Sequence, residues 1–380
     1  MWRPRLIVLQ PTPYCNISCD YCYLGHRNDR RLMARAVVDA IRDKLLARLA
    51  PDAAPHIVWH AGEPTTVPID WYQQAYAELR PAAPAGATFG IQTNGIAISP
   101  AWIDFLARTE TRVGLSIDGP QRFHDRHRRT RAGTPTWSIA VASLALLQSA
   151  GLRPHVITVL HSDCLSAADE FYRFYRDHGI DQVSFSIDEL QGANRHSSFG
   201  GADHKVAMVA FLQRLLRLAL AEGHSLQVRD IERIARLLSE GGTADNEQVN
   251  PWDVVAIAAD GAVTSFSPDF MELTSDAHNN FCFGNIVRDD FDEILDGAVF
   301  NRTYDEIRAG VAVCRASCRY FDICGGGAPS NKMAENKSLV SGETSFCRLS
   351  IQAAADALIG FLQEARAGHQ GGASAAAPSI

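Results

Sequence analysis

Residues 11–23 read Pro-Thr-Pro-Tyr-Cys-Asn-Ile-Ser-Cys-Asp-Tyr-Cys-Tyr, and the rest of the chain is organised around them. Cys15, Cys19 and Cys22 have the spacing C-x3-C-x2-C. A structural zinc takes four ligands in a closed tetrahedron, commonly from two C-x2-C pairs. Three close thiolates without a fourth suit a cubane iron–sulfur cluster, in which Cys usually fills all four positions. Omitting one ligand opens one iron to a small molecule. Asn16 and Ser18 are turn-formers, and Tyr21 and Tyr23 bracket the last cysteine. The plain alternative is three buried or zinc-bound cysteines.

The chain has 380 residues, enough for one large and one smaller domain. Its 43 acidic and 36 basic residues give a net charge of −7, unlike the basic footprint of a nucleic-acid binder. No apolar run reaches membrane-spanning length, and the N-terminus lacks a signal h-region. A cytoplasmic location is therefore expected, with neither membrane nor nucleic acid as partner. An odd cysteine count, nine, clustered towards two ends, points to metal ligation over a disulfide framework.

Apolar runs at Leu6–Leu9, Ile57–Trp59, Phe89–Gln92, Val113–Ile117, Val156–Leu160 and Val183–Ile187 alternate with amphipathic stretches. Those stretches are Arg35–Leu49, Trp71–Leu79, Ala101–Thr109, Thr136–Ser149 and Ser166–His178. This rhythm predicts an α/β fold with a parallel sheet. A closed barrel takes about 250 residues, so six units predict an open, partial (β/α)6 barrel with its site at the C-terminal strand ends. Residues 1–195 are assigned to that barrel and 196–248 to a helical linker. A small cysteine-rich domain is expected over 249–360 and a disordered Gly/Ala/Ser tail over 361–380.

Motifs fall at those strand ends: His60-Ala61-Gly62-Glu63-Pro64, Gln92-Thr93-Asn94-Gly95, Leu115-Ser116-Ile117-Asp118-Gly119-Pro120 and Asp188-Glu189. Taken singly they are turn signals. With the cysteine motif they resemble the radical S-adenosylmethionine (SAM) superfamily, Ala61 replacing the first glycine of a Gly-Gly-Glu-Pro segment. The resemblance implies a [4Fe–4S] cluster on Cys15, Cys19 and Cys22, with SAM chelated to its open iron. SAM would be held by Tyr21, Gly62, Glu63, Asn94 and Ser116, and Asp118, Asp188 and Glu189 are the catalytic candidates. The basic stretch Arg122–Arg131 reads as a solvated loop, with an acidic peptide leader or the SAM carboxylate as its functional alternative. Cys164 reads as a small packing residue.

Cys314, Cys318, Cys324 and Cys347 form a second group, with Gly325-Gly326-Gly327 to bring backbone close to a cluster. A structural zinc is the alternative for the same ligands. The segment resembles the SPASM extension of radical SAM peptide maturases, which holds auxiliary clusters. Ala328 stands where an inner-set cysteine is expected and Cys282 is left unassigned, so one auxiliary [4Fe–4S] cluster is the minimum expected. A narrower resemblance covers about residues 5–355. It rests on Val8-Leu9-Gln10-Pro11-Thr12-Pro13, Phe266-Ser267-Pro268, Tyr320 through Lys332, Glu343-Thr344 and Cys347-Arg348-Leu349. These look like the cyclophane-forming maturases associated with glycine-rich-repeat precursors. That implies joining an aromatic ring carbon to a β-carbon in a ribosomal precursor peptide, with a flavodoxin- or ferredoxin-type electron donor. The deoxyadenosyl radical would take hydrogen from the β-carbon, the auxiliary cluster an electron, and a carboxylate or water the proton. With Cys15 so early, peptide recognition is expected at the barrel mouth, the stretch 191–240 or the C-terminal part. Rivals are thioether formation, formylglycine-type oxidation (Phe283, not Asp, follows Cys282) and a zinc-stabilised peptide-binding scaffold.

Overall fold

The computed structural model describes residues 2–200 and 203–373. Its strands are β1 (Leu6–Leu9), β2 (Ile17–Cys19), β3 (His56–Trp59), β4 (Thr88–Thr93), β5 (Arg112–Ser116), β6 (Arg128–Thr130), β7 (His155–Leu160), β8 (Gln182–Ile187), β9 (Gln227–Val228), β10 (Val254–Ile257), β11 (Ala262–Ser265) and β12 (Gly284–Asn285). Ten of them form one sheet in the order β12-β11-β10-β1-β3-β4-β5-β7-β8-β9, while β2 and β6 pair separately. The six strands read from the sequence, β1, β3, β4, β5, β7 and β8, lie side by side and parallel. Their apolar runs are what a parallel sheet covered on both faces requires. The sheet does not close, so the barrel is open, as the count of six units predicts.

The sheet is wider than that count. Parallel β9 extends it beside β8, and parallel β10 pairs with β1 in the register Leu6↔Val254. All four residues of β10 are buried, and antiparallel β11 and β12 follow. The chain from Val254 onward is thus hydrogen-bonded into the barrel sheet. The helices Lys205–Glu222 and Arg229–Glu240 occupy the expected linker. The stretch 35–49, expected as one helix, is an α-helix at Arg35–Ala40, a π turn at Ile41–Leu45 and a 3₁₀ turn at Leu46–Arg48.

The helix Ala353–Ala373 occupies the first part of the expected disordered tail, and residues 374–380 lie outside the described residues. Alanine is the strongest helix former, and Ala353, Ala354, Ala355 and Ala357 are buried, so packing anchors the start of a helix that runs on into the expected tail. Arg217 clamps it further along through Glu364 at 2.7 Å. No described helix is long and apolar enough to cross a membrane.

The face of the sheet under β3 is filled by aromatics. Trp59 is fully buried, edge-on to Trp71 at 5.4 Å and to Tyr72 at 5.3 Å. Replacing Trp59 with alanine should lower unfolding free energy by about 3–5 kcal/mol, as truncating a buried aromatic does. A urea midpoint unchanged from the parent would refute this placement.

Candidate active site

The cysteine loop is built by pairing. β2 lies antiparallel to β6 in the register Ile17↔Thr130, Ser18↔Arg129 and Cys19↔Arg128. The basic stretch is therefore a clamp and not the solvated loop its charge suggests. Arg128 is buried; its Nε donates to Asp118 Oδ2 at 3.0 Å, and its Nη1 stands 3.7 Å from Cys19 Sγ. Arg131 Nε donates to the Cys15 carbonyl at 2.8 Å. Arg122 and Arg126 are spent on surface pairs with Glu170 and Asp163. Asp118 also accepts from the Tyr21 hydroxyl at 2.5 Å and the Val159 N–H at 3.1 Å. Burial alone would raise the Asp118 carboxyl, but the Arg128 guanidinium overrides it and holds the group below the usual carboxylate range.

The turn after β3 grips the loop from the other side. Glu63 is buried and accepts from Thr65 N–H (2.9 Å), Thr65 Oγ1 (2.6 Å), Thr93 Oγ1 (2.6 Å) and Asn94 N–H (2.7 Å). Its own N–H donates to the Tyr14 carbonyl at 2.7 Å. Gly62 has φ +57°, and a Cβ there would lie 2.5 Å from the Thr12 and Tyr14 carbonyl oxygens, so only glycine lets the two backbones meet. Ala61, where the resemblance expects glycine, also has positive φ, +71°. Asn94 donates to Asn16 Oδ1 at 2.8 Å and stands 3.8 Å from Cys15 Sγ.

These elements enclose a cavity of about 340 Å³. Cys15, Cys19 and Cys22 line it, as do all five expected SAM-binding residues, Tyr21, Gly62, Glu63, Asn94 and Ser116. Of the expected catalytic carboxylates only Glu189 does. Asp118 lies behind the wall with its oxygens engaged as above. Asp188 is buried and likewise consumed: it accepts from Ser198 N–H (2.7 Å) and Ser198 Oγ (3.0 Å) and pairs with His161 (3.2 Å). These contacts tie Asp118 to the cysteine loop and Asp188 to the segment after β8. The cavity also holds Gln92, which opens one of the strand-end motifs, and Gln191 and Asp269, which sequence reading missed. Both amide atoms of Gln191 are buried without a hydrogen-bond partner. Burial, and then the neighbouring Asp269 charge, push the Glu189 carboxyl up to about 8. Burial raises Asp269 as well. A larger cavity, about 870 Å³, lies at the opposite, N-terminal strand ends near Pro154, Gln182 and Gln227, and no cysteine lines it.

A second cavity, also about 340 Å³, is lined by Cys314, Cys318, Cys324 and Cys347 together. Cys314 and Cys318 are one helical turn apart at the end of the helix Ala298–Ser317. Cys324 Sγ accepts from the Gly327 N–H at 3.0 Å, and Cys347 Sγ from the Thr344 N–H at 3.1 Å. Gly326 has φ +117°, and a Cβ there would lie 2.8 Å from the Val311 side chain. Cys282 lies apart, in a cavity with Gln10, His26, Arg31 and Thr264. Cys164 is buried in the core.

Both cysteine sets fit clusters better than single ions. All nine cysteines are free, and no group of His, Cys, Asp or Glu among the described residues draws together closely enough for one metal ion. The thiols instead ring cavities, and Cys324 and Cys347 already accept backbone N–H donors, as cluster sulfurs do. Burial pushes the Cys15 thiol up to about 11 and the Cys19 thiol to about 12; bound iron inverts that preference by holding thiolates.

The Radical SAM superfamily profile matches residues 9–175. Over 374 residues, 95% of this chain and 92% of the other, the sequence is 34% identical to the uncharacterized protein sll1766 of Synechocystis sp.. The chain belongs to the radical SAM superfamily. It is an enzyme, and membership implies SAM and a [4Fe–4S] cluster. It is also 22% identical to the cysteine-type anaerobic sulfatase-maturating enzyme of Clostridium perfringens, over 85% of this chain and 88% of that one. The fold matches the solved structure of native anSMEcpe with bound AdoMet and Cp18Cys peptide, with TM-score 0.76, 17% identity and coverage of 96% and 99%.

Two outcomes follow for this radical SAM enzyme. Arg128→Met leaves Asp118 buried and unpaired, so it should cost about 3–5 kcal/mol of stability. Adding Asp118→Leu should restore part of it, and a double variant no better than the single would refute the pair. Glu189, raised to about 8 in the folded chain from an ordinary 4.5, keeps its proton between those values while the unfolded chain has lost it. Stability should therefore fall as pH rises from about 4.5 to 8, and Glu189→Gln should flatten that slope. Parallel pH profiles of urea midpoints for parent and variant would refute the assignment.

Proposed function

We propose that the enzyme crosslinks a ribosomally made peptide, joining an aromatic ring carbon to the β-carbon of a nearby residue. The observation that carries this reading is the pairing of two cysteine-ringed cavities, one containing a protonatable carboxyl. Peptide or protein modification is the coarser function. It is supported by the likeness to the sulfatase-maturating enzyme and to a fold solved with a peptide bound. The finer, cyclophane reading is supported by the motifs from Gln10 to Thr12 and from Tyr320 to Lys332. It is also supported by the separation of Cys282 from the four-cysteine cavity, which Ala328 lines where an inner-set cysteine is expected.

When bound, the clusters and SAM supply hydrogen abstraction and one-electron chemistry. The chain's own residues do the rest. Cys15, Cys19 and Cys22 hold the first cluster, and Cys314, Cys318, Cys324 and Cys347 an auxiliary one. Glu63 and Asn94 fix the wall of the first cavity, and Gln191 offers a buried donor and acceptor to a polar ligand. Forming a carbon–carbon bond from two C–H groups releases two protons and two electrons. The arene proton leaves to water in the cavity or to Glu189 in its ionised form, which gains weight only as the pH approaches about 8, with Asp269 beside it. A flavodoxin or ferredoxin is the proposed source of the starting electron. The C. perfringens likeness supports a second reading, formylglycine formation.

The test is anaerobic reconstitution with iron and sulfide, then incubation with SAM and a candidate precursor peptide. About eight irons per chain are expected, four per cubane. A crosslinked product is two hydrogens lighter than its precursor. Oxidation of a serine to formylglycine loses the same mass, so fragmentation decides: a crosslink removes the backbone fragments between the joined residues, and an aldehyde reacts with hydrazide. A Cys314→Ala, Cys318→Ala variant should still release 5′-deoxyadenosine but give little crosslinked peptide. Normal yields from a folded variant of this kind would refute the electron-accepting role of the second site.

A further inference from the structure

The second cavity contains a charge that the proposed function does not use. Lys332 lines it beside the four cysteines and is only 3% exposed. Its ammonium donates to the Gly310 carbonyl at 2.9 Å. Among the described residues no carboxylate forms an ion pair with it. The cavity's other lysine is different: Lys205 is paired with Asp356 at 2.8 Å and bonded to Tyr320. The one carboxylate on the wall, Glu343, is taken by Gln352 at 2.6 Å and faces Arg348 at 4.0 Å. An ammonium buried without an anion is costly, because its desolvation is uncompensated. The four cysteines that line the same cavity supply negative charge there once they are thiolates.

We propose that Lys332 is the counter-charge of the auxiliary site. It compensates the excess negative charge of a cluster held by Cys314, Cys318, Cys324 and Cys347 and sets its reduction potential. This rests on the reading that those four residues hold a cluster. One-electron reduction adds one negative charge, so a cation fixed in the wall stabilises the reduced form more than the oxidised form. The field is strong here because burial lowers the local dielectric. Lys332 follows Asn331 in the helix Pro329–Asn336, and Asn331 Nδ2 donates to Glu189 Oε2 on the wall of the first cavity. A single rigid helix thus presents one side chain to the proton-handling carboxyl and the next to the four-cysteine ring.

The test uses the full chain with Cys15, Cys19 and Cys22 all changed to Ala, reconstituted with iron and sulfide so that only the auxiliary cluster titrates. Its midpoint is read by mediated redox titration with paramagnetic resonance, with Lys332 intact, as Lys332→Met and as Lys332→Arg. Methionine should shift the oxidised-to-reduced ratio at a given potential at least tenfold towards oxidised, a fall of about 59 mV for one electron. Arginine should stay within about threefold of the parent. Loss of iron from Lys332→Met with retention in Lys332→Arg, at unchanged circular dichroism, also supports a counter-charge. A loaded Lys332→Met variant with the parent midpoint overturns the proposal. So does equal iron loss from both variants, which marks a packing role. A parent background without iron overturns the four-cysteine reading itself, and this proposal with it.

Discussion

The buried pair between Arg128 and Asp118 is the interaction on which the first site depends. A buried ion pair is a poor source of net stability, because desolvating both charges offsets their attraction. Its effect here is positional. Asp118 follows β5, and it also receives the N–H of Val159 from β7, so it is tied to two strands of the barrel. Through Arg128 and Tyr21 that fixed point extends to the cysteine loop, and β6 carries it on as backbone pairing with β2. Removing either charge would leave the other buried without a partner. The loop cannot drift without breaking the pair, and this gives three thiols on an irregular segment a defined arrangement.

Counting donors separates the carboxylates. Glu63 and Asp118 each accept several hydrogen bonds from groups that anchor the site, so they are fixed acceptors. Glu189 faces the same cavity as Glu63 but receives a single side-chain donor, Asn331, and has Asp269 beside it. Desolvation raises both groups, Glu63 in spite of its donors, and it takes Glu189 up to about 8, so that this carboxyl keeps its proton through neutral pH. Two acids on one wall, both raised by burial, thus differ in how firmly donors hold them, several for Glu63 and one for Glu189.

The six core strands and the helices between them were legible because parallel strands buried on both faces carry continuous apolar runs. β10 was not, since four residues, Val-Val-Ala-Ile, are too few to separate from loop, and its partner β1 is almost 250 positions away. The cavity-lining set was legible because Gly62, Glu63, Asn94 and Ser116 fall directly after or at the ends of recognisable strands. Asp118 and Asp188 occupy equivalent strand-end positions, but whether a carboxylate there faces the cavity or its own supports depends on donors distant in sequence. Arg128 shows the converse. Among neighbouring arginines charge density suggests solvent, and only the pairing of β2 with β6 reveals a buried clamp. Asp269 was hidden by its setting: it lies in the short 3₁₀ turn Pro268–Glu272 after β11, a strand that sequence periodicity did not join to the barrel.

That joining also ties the two cysteine-ringed cavities to one framework. The strands after Val254 continue the barrel sheet, so the segment bearing Asp269 is fixed to β1, the strand that launches the cysteine loop. From the other direction, the helix Pro329–Asn336 reaches the end of β8 through Asn331 and Glu189. The first cavity is therefore closed partly by residues that belong, in sequence, to the cysteine-rich half. A carboxyl on that shared wall responds to charge on both sides. Glu189 itself follows β8 while its neighbours Asp269 and Asn331 come from the later part of the chain, which makes the proton-holding group a product of the two parts docking and not of either alone.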